Sequence, residues 1–341
     1  MTQYIGLDAH SKTCTAVVID HAGKIAASKQ FPTSEQNLIA FIKSVKRPRE
    51  LAFEEQNLAH WLFLTTDEHV SKLVIAHPGH LPKQRSAKGD FKDAVRLAEE
   101  LRAGRLTSVF HEDSKLWNLR AIVNSYHDFT TDIVRSKNRY KAFLRSRGLP
   151  TDGKTIFRDT ELLKKIENDC ERFAAVNLFE QIRLQQEIKD SYEVKFTELA
   201  KQWTVIRRLG TIPGISDIRG ATIAAIICSP ERFPNKHKLW AYAKLVRYID
   251  VSDGRIYGSR APQGRAELKA AFMGAATTIL AGTSGLRRYY DRLRSKGVCH
   301  NDAKRAVARR VAAIALMIMK TGSKYDDHHD DRRSRPELTK S

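Results

Sequence analysis

Tyr4-Ile5-Gly6-Leu7-Asp8 reads as a short apolar strand ending on a carboxylate, and the elements after it decide the fold. Residues 15–19 make a second strand, His21-Ala22-Gly23-Lys24 a hairpin turn, and residues 25–29 a third strand. Ser34 opens a helix carrying Leu38, Ile39, Phe41, Ile42 and Val45, which stops before Pro48. Residues 51–53 form a strand ending on Glu54, followed by a helix at 58–65 and a strand at 73–76. A last helix covers 90–102, with Ala94, Leu97, Ala98 and Leu101 on its apolar stripe. Three antiparallel strands followed by helix–strand units imply a mixed α/β sheet covered by helices.

Four acidic positions sit where these elements end or begin: Asp8, Glu54 with Glu55 beside it, Asp90 and Asp93. Asp90 and Asp93, three apart, project from one side of a helix. In a mixed sheet, two central strand ends and a flanking helix can meet at one edge, which would make a four-carboxylate cage open to substrate. Taken singly, each has a plainer reading: Asp8 caps a turn, Asp90 caps its helix, Asp93 pairs with a lysine. A chain of formal charge +20 nevertheless has little electrostatic reason to gather carboxylates unless a hard divalent cation holds them. Mg²⁺ takes oxygen ligands and keeps waters, and two such ions about 4 Å apart suit an in-line phosphodiester displacement.

The charge balance points the same way. Lys and Arg number 59 against 39 Asp and Glu, beyond what solubility requires and the usual footprint of a phosphate-backbone binder. The 341 residues suffice for two or three domains. No signal segment precedes the first strand, and the most apolar stretch, 303–319, is interrupted by Lys304, Arg305, Arg309 and Arg310. A cytoplasmic protein without a membrane span is therefore expected. Cys14, Cys170, Cys228 and Cys299 form no CxxC pair, which argues against structural zinc.

From 114 to 203 the strand signals vanish. Leu116, Leu119, Ile122, Val123 and Tyr126 continue into Ile133, Val134, Tyr140 and Phe143 at helical spacing. Gly148-Leu149-Pro150 and Asp152-Gly153 break that run, and a second helical stretch is expected over 159–201. Gly210-Thr211-Ile212-Pro213-Gly214 resembles a helix-hairpin-helix loop, whose backbone N–H groups suit a phosphate, although Gly-Pro turns are common between helices. Helices are expected at 221–227, 239–245, 265–280 and 303–319, with a short polar loop at 250–263. Residues 326–341 read as a disordered polar tail.

Ile5-Gly6-Leu7-Asp8-Ala9-His10-Ser11-Lys12, a strand-borne glutamate, and Lys88-Gly89-Asp90-Phe91-Lys92-Asp93-Ala94 resemble the DEDD transposases of the IS110 family. The Piv-type DNA invertases share the pattern. Ile212-Pro213-Gly214-Ile215, Arg232-Phe233-Pro234, Lys238-Leu239-Trp240-Ala241-Tyr242-Ala243 and Gly264-Arg265-Ala266-Glu267-Leu268-Lys269 are similar to the family's second domain, so the resemblance spans about residues 4–320. It implies a RuvC-like, ribonuclease H-type N-terminal domain over 1–112 and a long helical, coiled-coil-like linker and oligomerisation region over 113–205. A mainly α-helical C-terminal transposase domain over 206–325 would come next, then the tail, 326–341.

The resemblance carries Asp8, Glu54, Asp90 and Asp93 over as catalytic residues and ligands of Mg²⁺, with Mn²⁺ as substitute. The chain departs from the family at Gly89, where a threonine is common, and at Phe53-Glu54-Glu55-Gln56, which replaces Glu-Ala-Thr-Gly and leaves Glu55 a rival to Glu54. The family also uses a serine nucleophile, in an interval that here holds Ser252 and Ser259. Ser252, followed by Asp253-Gly254, is the better match, and Arg255, Arg260 and Arg265 are neighbouring candidates for phosphate contact. The implied function is that of a transposase or site-specific DNA recombinase working through a phosphoserine intermediate. Donor and target DNA, a bridge RNA encoded beside the gene, and a homo-oligomer (dimer or tetramer) are the implied partners. The alternatives are a junction-resolving endonuclease that uses water, and a non-catalytic nucleic-acid-binding protein.

Overall fold

A computed structural model describes residues 1–81, 89–153 and 155–327. The chain divides into two compact units, Met1–Asp113 and Ser114–Ser341. The expected tail falls almost wholly outside the described residues, as does Lys88 of the paired-aspartate motif.

The first unit is built on a five-stranded sheet of order β3-β2-β1-β4-β5. Its strands are β1 (Gln3–Ala9), β2 (Thr13–Ile19), β3 (Ile25–Pro32), β4 (Arg49–Glu54) and β5 (Lys72–Ala76). β1, β2 and β3 pair antiparallel, while β4 runs parallel to both β1 and β5. This is the ribonuclease H-type, RuvC-like arrangement. Helices α1 (Glu35–Ser44) and α2 (Ala59–Thr66) pack on the face that carries Ile5, Leu7, Leu51 and Phe53. Ser34 caps α1 by accepting a hydrogen bond from the Asn37 amide. Helix α3 (Asp90–Arg102) covers the opposite face through Ala94, Ala98 and Leu101. Central strands covered on both faces are apolar at successive positions, as Val17-Val18-Ile19 and Leu51-Ala52-Phe53 are.

Gly6 decides how close α3 comes. A Cβ there would stand 1.9 Å from the Ala94 carbonyl oxygen and 2.6 Å from the Ala98 nitrogen. Any side chain would force helix and strand apart.

The second unit opens with α4 (Lys115–Arg145), a short α5 (Glu161–Lys164) and α6 (Asp169–Gln202). Tyr140 of α4 packs on Phe179, whereas Tyr126 packs on Phe196, so α4 and α6 run antiparallel. The helical stretch expected over 159–201 is thus interrupted: Asn168 accepts a hydrogen bond from the Glu171 amide and starts a new helix.

Helices α7 (Thr204–Leu209), α8 (Asp217–Ile227), α9 (Lys236–Tyr242), α10 (Ala266–Ile279), α11 (Gly285–Ser295) and α12 (His300–Thr321) form the rest. α8 is the hub, buried at every residue from 220 to 227. Between α7 and α8, Gly214 (φ +80°) packs against the Ala275 carbonyl, an approach only glycine permits.

The segment expected as a polar loop at 250–263 is instead largely an antiparallel hairpin, β6 (Tyr248–Ser252) and β7 (Arg255–Arg260). Its turn residues, Asp253 and Gly254, both have positive φ (51° and 71°), the signature of a two-residue turn matched to strand twist. Helix α11, unread in the sequence, starts at Ser284, which caps the Arg287 amide. Among the described residues no helix is long and apolar enough to cross a membrane.

Candidate active site

Strand register puts the first two acidic positions side by side. Leu7 of β1 lies opposite Phe53 of β4, so Asp8 and Glu54 leave the same end of neighbouring central strands. Gln56 ties those ends together, its amide nitrogen donating to the Ala9 carbonyl at 2.6 Å. Side chains alternate across a sheet: Gly6 and Ala52 face α3, and so therefore do Asp8 and Glu54. The first turn of α3, entered through Gly89, carries Asp90 and Asp93. The tight Gly6 contact holds that helix against β1.

Two sub-clusters result. His10 Nε2 lies 3.3 Å from Asp8 Oδ2 and 3.8 Å from Asp90 Oδ1. One ligand atom from each of these three residues falls within 4.8 Å of the others, a span one divalent cation can bridge. In the second sub-cluster, a single Arg96 nitrogen, Nη2, donates to Glu54 Oε1 at 3.0 Å and lies 3.2 Å from Asp93 Oδ1. Asp8 is the least exposed of the four carboxylates, at 20%. Burial pushes its pKa up; His10 works against that shift, and the charges of Asp90 and Asp93 reinforce it. Bringing a carboxylate into such surroundings is unfavourable for the protein alone and favourable with a cation. The donor set, oxygen-rich with one imidazole, fits a divalent ion.

Glu55 points elsewhere. Its Oε2 lies 2.7 Å from Nε2 of the buried His111, on the face of β4 that carries α2 and His60. Parity at the strand end explains the split: successive residues leave on opposite faces.

Two participants were not singled out in the sequence. His10 follows Asp8 by two positions, the strand period, and Arg96 follows Asp93 by three, one helix turn. Both spacings were visible, but neither residue type marks itself as part of an acidic site.

The candidate serines lie in the second unit, on the hairpin. Ser252 is the last residue of β6 before the turn, across from Arg255, and is exposed. Ser259, also exposed, sits within β7 opposite Ile249, and its carbonyl accepts from Arg247 at 3.0 Å. Of the neighbouring arginines, Arg260 approaches Asp250 at 3.5 Å, while Arg265 is engaged by Glu267 and Asn124.

A family model described as a transposase of the DEDD IS110 type matches residues 5–147, and a second, for transposases of the IS116/IS110/IS902 family, matches residues 206–291. No curated protein matches the chain.

Proposed function

The chain belongs to the IS110 family of transposases, and from that premise we propose that it cuts and exchanges DNA strands through a phosphoserine link. Transposition makes DNA its substrate, and divalent-metal use is the family's habit. Asp8, Glu54, Asp90 and Asp93 would hold Mg²⁺ or Mn²⁺, with His10 beside Asp8 and Asp90. When bound, the cation supplies positive charge to the phosphoryl oxygens of the scissile group. Ser252 is the nucleophile: a bond forms from its Oγ to phosphorus as the bond from phosphorus to the departing strand oxygen breaks, and that oxygen leaves with a proton. A hydroxyl of the incoming strand later displaces the serine, so the number of phosphodiester bonds is conserved. Arg255, across the turn from Ser252, is suited to hold the phosphate.

The observation that carries this reading is the convergence of Asp8 with Asp90 around His10, and of Glu54 with Asp93 around Arg96. Residues 1–112 would then be the catalytic domain, 113–205 the oligomerisation region of a dimer or tetramer, and 206–325 the domain that supplies the serine. A bridge RNA encoded beside the gene would select the target.

Trapping tests the serine. Incubation with DNA and Mg²⁺ followed by denaturation should yield a covalent protein–DNA adduct, absent in Ser252→Ala and present in Ser259→Ala. The reverse pattern moves the role to Ser259. Strand cleavage without any adduct, retained in Ser252→Ala, would establish the water-using endonuclease instead. Retention by the protein of transcript from the gene's non-coding flank over a scrambled RNA tests the guide.

A further inference from the structure

In the second unit, α9, α11, α12 and the segment after α12 line an open cavity of about 1080 Å³. Its walls combine two chemistries. Trp240, Tyr289 and Tyr325 line it beside Ile314 and Met317, and Met317 is 39% exposed. Five cations share the lining, Lys236, Arg309, Arg310, Lys320 and Lys324, against one carboxylate, Asp326.

The Trp240 ring is fixed in place. Its Nε1 donates to the Arg309 carbonyl at 2.8 Å, and the His237 ring meets it edge-on at 4.7 Å. The Lys236 ammonium stands 5.6 Å from the indole centroid and the Arg309 guanidinium 5.8 Å. Lys320 is drawn to the Phe233 carbonyl and Glu231, whereas Lys236 and Lys324 have no carboxylate partner among the described residues.

A ligand that uses both chemistries must be flat and apolar in one part and anionic in another. An apolar peptide would leave the cations unused, and a small free anion would not need the rings. A nucleobase with its flanking phosphates satisfies both, because any base has a π-face to stack and the strand supplies the charge. We propose that this cavity receives a single unpaired or extruded base of a nucleic-acid strand, its ring against Trp240 and its phosphates on Lys236 and Lys324. The site uses neither the carboxylates nor Ser252, and it stands whether or not the serine mechanism does.

The test measures binding of the full chain by fluorescence anisotropy at fixed salt. The probes are a paired DNA duplex, the same duplex with one bulged adenosine, and the same duplex with an abasic residue in the bulge. The adenosine bulge should bind roughly 5- to 100-fold more tightly than the abasic one, the range that loss of one base–aromatic stack produces. Trp240→Leu and Met317→Glu should erase that preference while leaving paired-duplex affinity unchanged. Lys236→Gln should lower the salt dependence by about one phosphate contact. Met317 is an exposed helix position, so its variant remains decisive if Trp240→Leu does not fold. A parallel RNA duplex with the same bulge identifies the source: preference for either strand type supports the proposal. Equal binding of adenosine and abasic bulges overturns it. So does an unchanged preference in Met317→Glu, including the case where that variant alters only self-association or peptide binding.

Discussion

Arg96 shows how much one side chain can settle. A single nitrogen bridges Glu54 and Asp93, offsetting the repulsion between those two carboxylates. If Glu54 is the ligand, Glu54→Gln should reduce metal-dependent cleavage by roughly 100-fold, the upper range for loss of a metal-site partner. Glu55→Gln should leave cleavage nearly intact and instead lower the unfolding temperature, because it replaces the carboxylate that meets the buried His111 ring with a neutral amide. Cleavage assays and thermal unfolding on the two variants separate the roles. Asp8 makes the sharper prediction. Its pKa is raised by burial, so the folded state holds the proton more tightly than the unfolded chain. Ionised Asp8 therefore costs stability once pH rises past the ordinary carboxylate value, and the cost is complete above the raised one. Asp8→Asn should unfold at a higher temperature than the wild type at neutral pH without metal, a gain that fades as pH falls through the raised value and is gone below the ordinary one. Added Mg²⁺ should stabilise the wild type but not the variant, and cleavage should fall by more than about 100-fold. At this scale the sequence exposed the carboxylates, since Asp8, Asp90 and Asp93 stand at legible element ends. It concealed His10 and Arg96, because ordinary surface residues and site residues of those types look alike until neighbours are known.

Elements are set by sequence patterns that are local, and most were legible. Alternation and apolar runs marked β1 to β5, and Ala94, Leu97, Ala98 and Leu101 marked α3. The hairpin at β6–β7 was readable in principle, since Asp253-Gly254 is a strong two-residue turn signal. Its flanks concealed it: Tyr248, Ile249, Val251, Ile256 and Tyr257 are all exposed, so no single apolar face alternates with a polar one. Helix α11 was missed for a related reason, its sequence being arginine-rich with only Leu286 and Tyr290 as large buried side chains. The element contact with the most consequence is that of α3 on β1 at Gly6. Gly6→Ala would place a methyl group inside the Ala94 carbonyl, so the helix must lift. We expect a loss of about 1–3 kcal/mol in unfolding free energy, typical of overpacking, and a fall in cleavage with all four carboxylates present. Denaturant unfolding and cleavage together check this, and unaltered activity would mean that the spacing of α3 is not critical.

Charge is distributed unevenly over the whole molecule. Residues 1–113 contain 15 Lys and Arg against 14 Asp and Glu, whereas residues 114–341 contain 44 against 25. Nearly the whole excess therefore belongs to the second unit. The first unit has its own core on both faces of its sheet. A fragment of residues 1–113 should thus unfold cooperatively by itself, yet bind duplex DNA at least about 10-fold more weakly than the full chain at low salt. Its dependence of log K on log salt should also be shallower, since that slope counts the phosphates neutralised. Titrations at several salt concentrations measure both. The sequence by itself determined the order of strands and helices in the first unit, the basic character of the chain and the acidic positions, because periodicity, composition and residue type are properties of local stretches. Only the tertiary structure decided that His10 joins Asp8 and Asp90, that Arg96 is shared by Glu54 and Asp93, that Glu55 turns to His111, and that aromatic rings and cations line one cavity. Each of those groupings includes a partner far away in the chain, and no pattern within a single segment encodes which distant side chain the fold will bring within a few ångströms.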